Sequence, residues 1–288
     1  MPGCENGAMV STKVAFVLGG GGVLGAVQVG MLRAVLERGL RPELIVGTSV
    51  GAINGAIIAV DVDRSVERLE RAWSSKDARA LTTGIAFRLG RAHIMSTRPL
   101  RRLLEGGLAG VRTFDELDVE FRCCAASVER AAEHWFTGGD LIPAVLASAA
   151  LPGIFPAVRI GGEHFVDGGI VNSIPVSEAA AGGATDIYVM QVGRIEHPLS
   201  APQSQLGNAR VAFEISRRHR FARDSAGLPA GTRLHVLPTG TTSARENRIG
   251  RNLSPTAVRR RIENAHRASS AYLDQEAASG RVSDGPPV

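Results

Sequence analysis

A serine stands between two glycines in the pentapeptide Gly47-Thr48-Ser49-Val50-Gly51, which follows one apolar run and precedes another. Glycine at both outer positions allows a sharp turn from strand to helix that a side chain would obstruct. Such a turn projects the serine hydroxyl above the edge of a sheet, near the positive end of the following helix. The pattern therefore predicts that Ser49 is a nucleophile and that Gly47 and Gly51 permit the turn.

A nucleophilic serine requires hydrogen-bond donors for the oxyanion that forms on the attacked carbonyl. The stretch 20–25, with the sequence GGGVLG, follows a predicted strand and opens a predicted helix. Several backbone N–H groups can point outward together there, because glycine lets the backbone itself approach a substrate. The predicted oxyanion hole is formed by the backbone of Gly20, Gly21, Gly22, Val23 and Gly25.

The same stretch also fits the pattern G-x-G-x-x-G of dinucleotide-binding folds. A dinucleotide site requires an acidic residue about 20 positions farther on, at the end of the second strand, to bind the ribose. The second predicted strand ends in 46–49 (VGTS), and Glu43 lies at its start, where it could not reach a ribose. A dinucleotide site is therefore disfavoured, and a P-loop is excluded because no Gly-Lys-Ser/Thr follows.

The base for Ser49 has two candidates. Of the seven histidines, His164 lies nearest to the other motifs, three residues before Asp167, but no turn marks it as catalytic. Asp167 precedes Gly168 and Gly169 at the end of a predicted strand, where it can enter a crevice without crowding. A carboxylate with an ordinary pKa of ~3.9 is a weak base, but in a dry site it can accept the serine proton while the oxyanion is held. Asp-Gly-Gly alone fits a plain turn equally well.

The elements that position these residues alternate between strands and helices. An apolar strand at 14–18, a helix at 23–38, a strand at 44–46 and a helix at 52–60 predict a parallel sheet covered on both faces. Further strands are predicted at 121–128, 163–166, 186–192 and 233–237, helices at 140–150 and 255–274, mostly helical structure at 62–110, and loops at 197–207 and 239–253.

The order of these motifs resembles that of the patatin-like phospholipases. The glycine-rich loop, the serine turn, the stretch 147–156 (ASAALPGIFP) and Asp-Gly-Gly carry the resemblance, over about 14–192. It implies a three-layer α/β/α fold with a mostly parallel central sheet, and a Ser49–Asp167 dyad without a catalytic histidine. It also implies hydrolysis of lipid acyl esters through an acyl-enzyme. Many members carry Arg or Lys in place of Leu24, so both phospholipids and neutral esters remain candidate substrates.

Composition bounds the class and organisation of the protein. The chain has 288 residues, of which 44% are apolar and 21% charged, which excludes disordered and collagen-like classes. We expect a flexible N-terminus at 1–12, one domain at 13–275 and a flexible tail at 276–288. Within the domain, 14–192 carries the motifs and 208–275 is Arg-rich. The chain contains three cysteines, two of them adjacent, which favours a reducing compartment. Glycines and prolines interrupt the long uncharged runs, so we expect a cytoplasmic protein.

Twelve arginines but only three acidic residues lie between Arg210 and Arg261. Such a segment can contact anionic membrane or another partner, but a solvated helical face explains it more simply. Nucleic acid is not expected, because aromatic interleaving and a binding motif are lacking. No cofactor or metal is predicted, since Asp61 and Asp63 fit helix capping better than a metal pair. An acyltransferase and a non-catalytic lipid-binding protein remain alternatives to a hydrolase, and the oligomeric state is left open.

Overall fold

The computed structural model describes residues 12–83, 95–193, 195, 198–202, 205–240 and 254–280. The strands are β1 (Val14–Leu18), β2 (Leu44–Thr48), β3 (Glu120–Ser127), β4 (Ala132–Phe136), β5 (Val158–Ile160), β6 (Glu163–Asp167), β7 (Asp186–Met190) and β8 (Arg233–Val236). The helices are α1 (Ala26–Leu36), α2 (Val50–Val60), α3 (Ser65–Ser74), α4 (Lys76–Thr83), α5 (Arg98–Gly107), α6 (Leu141–Ser148), α7 (Val176–Ala181), α8 (Gln205–Ala226) and α9 (Pro255–Ala278).

The strands form one sheet in the order β5-β6-β3-β2-β1-β7-β8, with β4 also paired to β3. The pairs from β3 through β2, β1 and β7 to β8 are parallel, whereas β4, β5 and β6 pair antiparallel. Parallel strands present their carboxyl ends at the same edge of the sheet. The glycine-rich loop after β1 and the serine turn after β2 therefore lie side by side.

Helices cover both faces of the sheet, which confirms the predicted three-layer α/β/α architecture. Successive side chains of β1 point to opposite faces, as expected for a strand. Phe16 and Leu18 enter the larger core, which contains residues of α1, α2 and α9. Ala15 and Val17 enter the smaller core, to which α7 contributes. The Arg-rich part joins the motif-bearing part through α9, because the backbone of Ile262 approaches Gly30 of α1 so closely that a Cβ atom there would overlap it.

Several element boundaries differ from the predictions. The turn Gly22–Leu24 is 3₁₀-helical, so α1 begins at Ala26 rather than at residue 23. Strands β4 and β5 were not predicted, because they are short, half-exposed and interrupted by charged side chains. The predicted loop at 197–207 is wrong at its end, where α8 begins at Gln205.

The two ends of the chain and one inner loop lie mostly outside the described residues. Helix α9 continues to Ala278, past the predicted helix end at 274, so the first residues of the predicted tail are helical. The remaining predicted flexible residues, at 1–11 and 281–288, and the loop residues 241–253 are not described. Within the described part of the chain, no helix combines the length and the apolar character needed to cross a bilayer.

Candidate active site

Ser49 occupies a strained turn between β2 and α2. Its φ of 57° and ψ of −123° lie in a region that non-glycine residues rarely adopt. A Cβ atom at Gly51 would overlap the carbonyl of Leu18, and one at Gly47 would lie 2.6 Å from the Gly51 oxygen. Both glycines are therefore required by close backbone packing, and the turn holds Ser49 at the N-terminus of α2.

Strand β3 brings the predicted nucleophile and the predicted base together. Strand β2 pairs with β3 as far as Thr48, which lies opposite Cys124. Strand β6 takes up the pairing at the next position, where Asp167 lies opposite Ala125. The residue after Thr48 and the last residue of β6 thus become neighbours, although 118 residues separate them along the chain.

The Ser49 hydroxyl donates a hydrogen bond of 2.6 Å to Oδ2 of Asp167. The other carboxylate oxygen accepts the Gly169 N–H at 2.7 Å, while Gly168 packs against the Cys124 carbonyl. Asp167 is only 2% exposed. Burial raises the pKa of Asp167 to about 6, although its bonds to Ser49 and Gly169 oppose the increase. A carboxylate with this pKa is a better proton acceptor than an exposed one.

The glycine-rich loop lies directly beside Ser49. A Cβ atom at Gly20 would lie 3.4 Å from the Ser49 Cβ. The Gly20 N–H donates to the Ser173 carbonyl at 2.9 Å, so the donor expected at Gly20 is already occupied. Gly21 and Gly22 are exposed at the start of the 3₁₀ turn, where the first N–H groups have no partner within the turn. The candidate oxyanion donors are therefore Gly21, Gly22 and Val23.

Gly25 has a packing role at the far end of the loop. A Cβ atom there would overlap both Val50 and the indole ring of Trp73. The neighbouring Leu24 is partly buried and packs against the larger core.

Two further hydroxyl groups fix the serine turn. The Ser49 N–H donates to Oγ of Ser148 at 3.0 Å, and Oγ1 of Thr48 donates to the Asn172 carbonyl at 2.8 Å. Sequence reasoning assigned no role to Ser148. The sequence did contain a signal for such a role, because Ser148 is the single polar side chain at the end of the apolar helix α6 and a buried hydroxyl requires a hydrogen-bond partner.

An apolar cavity of about 120 Å³ opens beside the dyad. Ser49 and Asp167 lie in its wall, together with Gly22. The other lining side chains are uncharged, and they include Ile53, Trp73, Leu100, Leu151, Ile154 and Phe155. The apolar side chains of Leu151, Ile154 and Phe155 therefore share this cavity wall with Ser49.

His164 does not meet Ser49. It lies on β6 three positions from Asp167, and side chains an odd number of positions apart point to opposite faces of a strand. Its Nδ1 lies 2.7 Å from Oε1 of Glu129. The hydrogen bonds from His164 lower the pKa of Glu129 to about 2. His164 therefore belongs to an exposed surface pair.

Several arginines of the Arg-rich part serve internal contacts. Arg217 on α8 is 3% exposed and donates to Oε1 of Gln191 and to the Val192 carbonyl, at 2.9 and 2.8 Å. Arg220 pairs with Asp224 at 2.7 Å. Arg210 lies in α8 without a described side chain, and 245, 248 and 251 lie outside the described residues. Among the described residues, no group of three or more His, Cys, Asp or Glu side chains could hold a metal ion.

The chain is similar in sequence to known proteins. Residues 16–180 match the family model Patatin-like phospholipase. The chain is 29% identical over 198 residues to the protein named Lysophospholipase nte1 of Aspergillus terreus, covering 64% of this chain and 12% of that protein. It is 28% identical over 195 residues to Patatin-like phospholipase domain-containing protein 7 of Rattus norvegicus, covering 64% of this chain and 14% of that protein.

A solved structure also has the same fold. VipD from Legionella pneumophila superposes with a TM-score of 0.51 and 13% identity, over 92% of this chain and 67% of that chain. The chain spans only about an eighth of the length of the two relatives named above. The family model nevertheless covers more than half of the chain and includes the serine turn and Asp167. The chain belongs to the patatin-like phospholipase family.

Proposed function

We propose that this chain is a serine acyl hydrolase that cleaves lipid esters with a Ser49–Asp167 dyad. The observation that carries the proposal is the 2.6 Å hydrogen bond between the two side chains, in the wall of an apolar cavity. An activated hydroxyl, a buried base and nearby backbone donors are the parts that acyl transfer requires. No histidine is needed, because the base contacts the nucleophile directly.

The first half of the reaction forms an acyl-enzyme. Asp167 accepts the proton of the Ser49 hydroxyl while Oγ attacks the ester carbonyl carbon. The carbonyl electron pair moves onto oxygen, and the N–H groups of Gly21, Gly22 and Val23 are the donors proposed to hold that oxyanion. The positive end of α2 adds to this stabilisation. The tetrahedral intermediate collapses, the carbon–oxygen bond to the alcohol breaks, and Asp167 returns its proton to the departing alcohol.

The second half releases the acid. Asp167 accepts a proton from a water molecule, whose oxygen attacks the acyl carbon. The new oxyanion forms at the same donors, and its collapse breaks the bond to Ser49 Oγ. Asp167 returns the proton to that oxygen, which restores the serine and frees a carboxylic acid.

The proposed substrate is an ester of a hydrocarbon acid. The uncharged cavity wall supports an apolar acyl chain, and the name of the Aspergillus terreus relative supports a lysophospholipid. Because Leu24 replaces a cation and packs inward, the proposal does not require an anionic headgroup. Arg217, Arg220 and Arg233 pair with carboxylates of this chain, so these three arginines do not support contact with an anionic membrane.

The test is hydrolysis of p-nitrophenyl esters with acyl chains from short to long, by the wild type and by Ser49→Ala. We expect the wild type to prefer chains long enough to fill the cavity and Ser49→Ala to lose activity by at least about 10³-fold. Turnover that survives in Ser49→Ala would contradict the proposed nucleophile. Transfer of the acyl group to an added alcohol in preference to water would identify an acyltransferase. Lipid binding without turnover of any ester would identify a binding protein.

A further inference from the structure

Three buried polar side chains connect the cavity wall to the glycine-rich loop. Gln28 on α1, Asn54 on α2 and Trp73 on α3 are each 1% exposed or less. Apart from Gln28 and Asn54, the buried positions of α1 and α2 are apolar or glycine, and aliphatic side chains there pack without any need for partners. Polar side chains in such positions are stable only if their donors and acceptors are satisfied.

The three side chains satisfy one another and hold the loop at both of its ends. The indole N–H of Trp73 donates to Oδ1 of Asn54 at 2.9 Å. The Asn54 amide donates to Oε1 of Gln28 at 2.7 Å and to the Gly25 carbonyl at 3.0 Å. The Gln28 amide donates to the carbonyls of Gly19 and Met190, both at 2.8 Å. Each side-chain amide thus uses both of its N–H groups.

The residues between these two fixed ends are the candidate oxyanion donors. Gly19 and Gly25 flank the loop, and Gly22 has open space around it with a φ of +60°. Backbone bonds hold the early part of the loop, where Gly19 donates to Met190 and Gly20 to Ser173. At the far end, the Gly25 carbonyl accepts the Gln28 N–H at 3.1 Å as well as the Asn54 amide, and Gly25 packs against Trp73.

We propose that Gln28, Asn54 and Trp73 are positioning residues that hold both ends of the glycine-rich loop, so that its N–H groups meet the oxyanion. This inference rests on the proposed function, because it concerns the same acyl transfer. Trp73 also lines the cavity, so the wall that contacts the acyl chain and the loop that binds the oxyanion are joined by hydrogen bonds. A displacement of the donors by about 1 Å lowers the rate of the chemical step by roughly 10²-fold.

Two variants remove hydrogen bonds of these three side chains, and Gln28→Met also preserves the packing. Gln28→Met retains the length of the side chain but has no donor for Gly19 and Met190. Trp73→Phe retains an aromatic ring but leaves Oδ1 of Asn54 without its donor, and it serves if Gln28→Met does not fold. The matched control is Ser269→Ala, which removes a fully buried hydroxyl on α9 that donates to the Pro238 carbonyl at 3.1 Å.

The kinetic measurement compares an oxoester with the thionoester of the same acyl chain, per active site titrated with a fluorophosphonate. Sulfur accepts weaker hydrogen bonds than oxygen, so the thionoester depends less on the oxyanion donors. We expect kcat for the oxoester to fall about 10- to 100-fold in Gln28→Met and in Trp73→Phe. KM should change less than about threefold, and the rate for the thionoester should fall less than the rate for the oxoester. Ser269→Ala should match the wild type. Equal losses for the two esters, or an unchanged kcat, would overturn the proposal.

A second measurement does not depend on turnover. Amide hydrogen exchange of a peptide covering residues 19–25 should be faster in Gln28→Met and Trp73→Phe than in the wild type and Ser269→Ala. The reason is that hydrogen bonds that hold the ends of the loop are lost or weakened in these two variants. Unchanged exchange in both variants would overturn the inference even if no ester were cleaved. Failure of the proposed function has a different signature, since it is decided by wild-type and Ser49→Ala turnover alone.

Discussion

Two aspartates, the buried Asp167 in the active site and the partly buried Asp224 on α8, show how different surroundings separate a reactive carboxylate from a structural one. Asp167 is bonded by two neutral donors, the Ser49 hydroxyl and the Gly169 N–H. Asp224 is bonded by the neutral Ser177 hydroxyl at 2.9 Å and by the cation of Arg220 at 2.7 Å. Among the described residues, no basic side chain forms an ion pair with Asp167.

The two environments shift the pKa values in opposite directions. Burial raises the pKa of Asp167 to about 6. Burial also disfavours the charged form of Asp224, but the hydrogen bonds from Arg220 and Ser177 outweigh it, so the pKa of Asp224 is lowered. The charged form of a carboxylate without a counter-ion is disfavoured by burial, so the group readily accepts a proton. A carboxylate with a counter-ion remains a stable anion, and Asp224 in this form joins α8 to α7 through Ser177.

The largest difference should appear in catalysis. Asp167→Asn preserves the size of the side chain and an oxygen acceptor for Gly169, but it removes the group that accepts the Ser49 proton. We expect kcat/KM for a p-nitrophenyl ester to fall about 10²- to 10⁴-fold. Asp224→Asn, the matched substitution in the other region, should retain wild-type kcat/KM. Similar losses in the two variants would show that the lost activity reflects general damage to the fold.

The next difference concerns stability at neutral pH. Asp224→Asn removes the charge that pairs with Arg220, a side chain that is itself partly exposed. We expect the free energy of unfolding at pH 7 to fall by about 1 to 3 kcal/mol, measured by urea denaturation. Because the pKa of Asp224 is lowered in the folded state, this stabilisation is present above its unfolded pKa and is lost as the pH falls. A cost that does not decrease towards pH 3 would contradict the assigned ion pair.

The smallest expected effect is on the free energy of unfolding of Asp167→Asn, and its sign is opposite to that for Asp224→Asn. The folded-state pKa of Asp167 lies above the unfolded value, so its contribution to stability is complete below about pH 4 and is lost as the pH rises through about 6. Asp167→Asn should therefore be more stable than the wild type at pH 7, by about 1 to 2 kcal/mol, and the difference should decrease towards pH 4. Urea denaturation at both pH values measures it. A variant less stable than the wild type at pH 7 would show that the buried charge is stabilised by its surroundings.

Local backbone chemistry made much of the site predictable. The turn around Ser49 requires glycines because Cβ atoms there would overlap neighbouring backbone, and the loop after β1 requires them because Cβ atoms at Gly21 and Gly25 would overlap packed side chains. The spacings of these glycines are visible in the sequence. The parallel sheet was equally predictable, since β1, β2 and β7 are short and largely apolar runs of the kind that two-sided burial produces.

Contacts between distant segments were not predictable from local patterns. The approach of Asp167 to Ser49 depends on the change of pairing partner along β3, which no local pattern specifies. The hydrogen bonds among Gln28, Asn54 and Trp73 depend on the packing of three helices. In the sequence by itself, Trp73 fits an ordinary core residue. Arginine content likewise did not show that Arg217 is buried against Gln191, because charge counts carry no information about depth.

The most direct test of the dyad is covalent labelling with a fluorophosphonate that carries an alkyl chain, followed by mass mapping of the modified peptide. The reagent reacts with an activated serine and leaves a stable adduct. We predict a single adduct on Ser49 in the wild type. The same adduct should form much more slowly in Asp167→Asn, and no adduct should form in Ser49→Ala. An adduct on another residue, or labelling of Asp167→Asn at the wild-type rate, would contradict activation of Ser49 by Asp167.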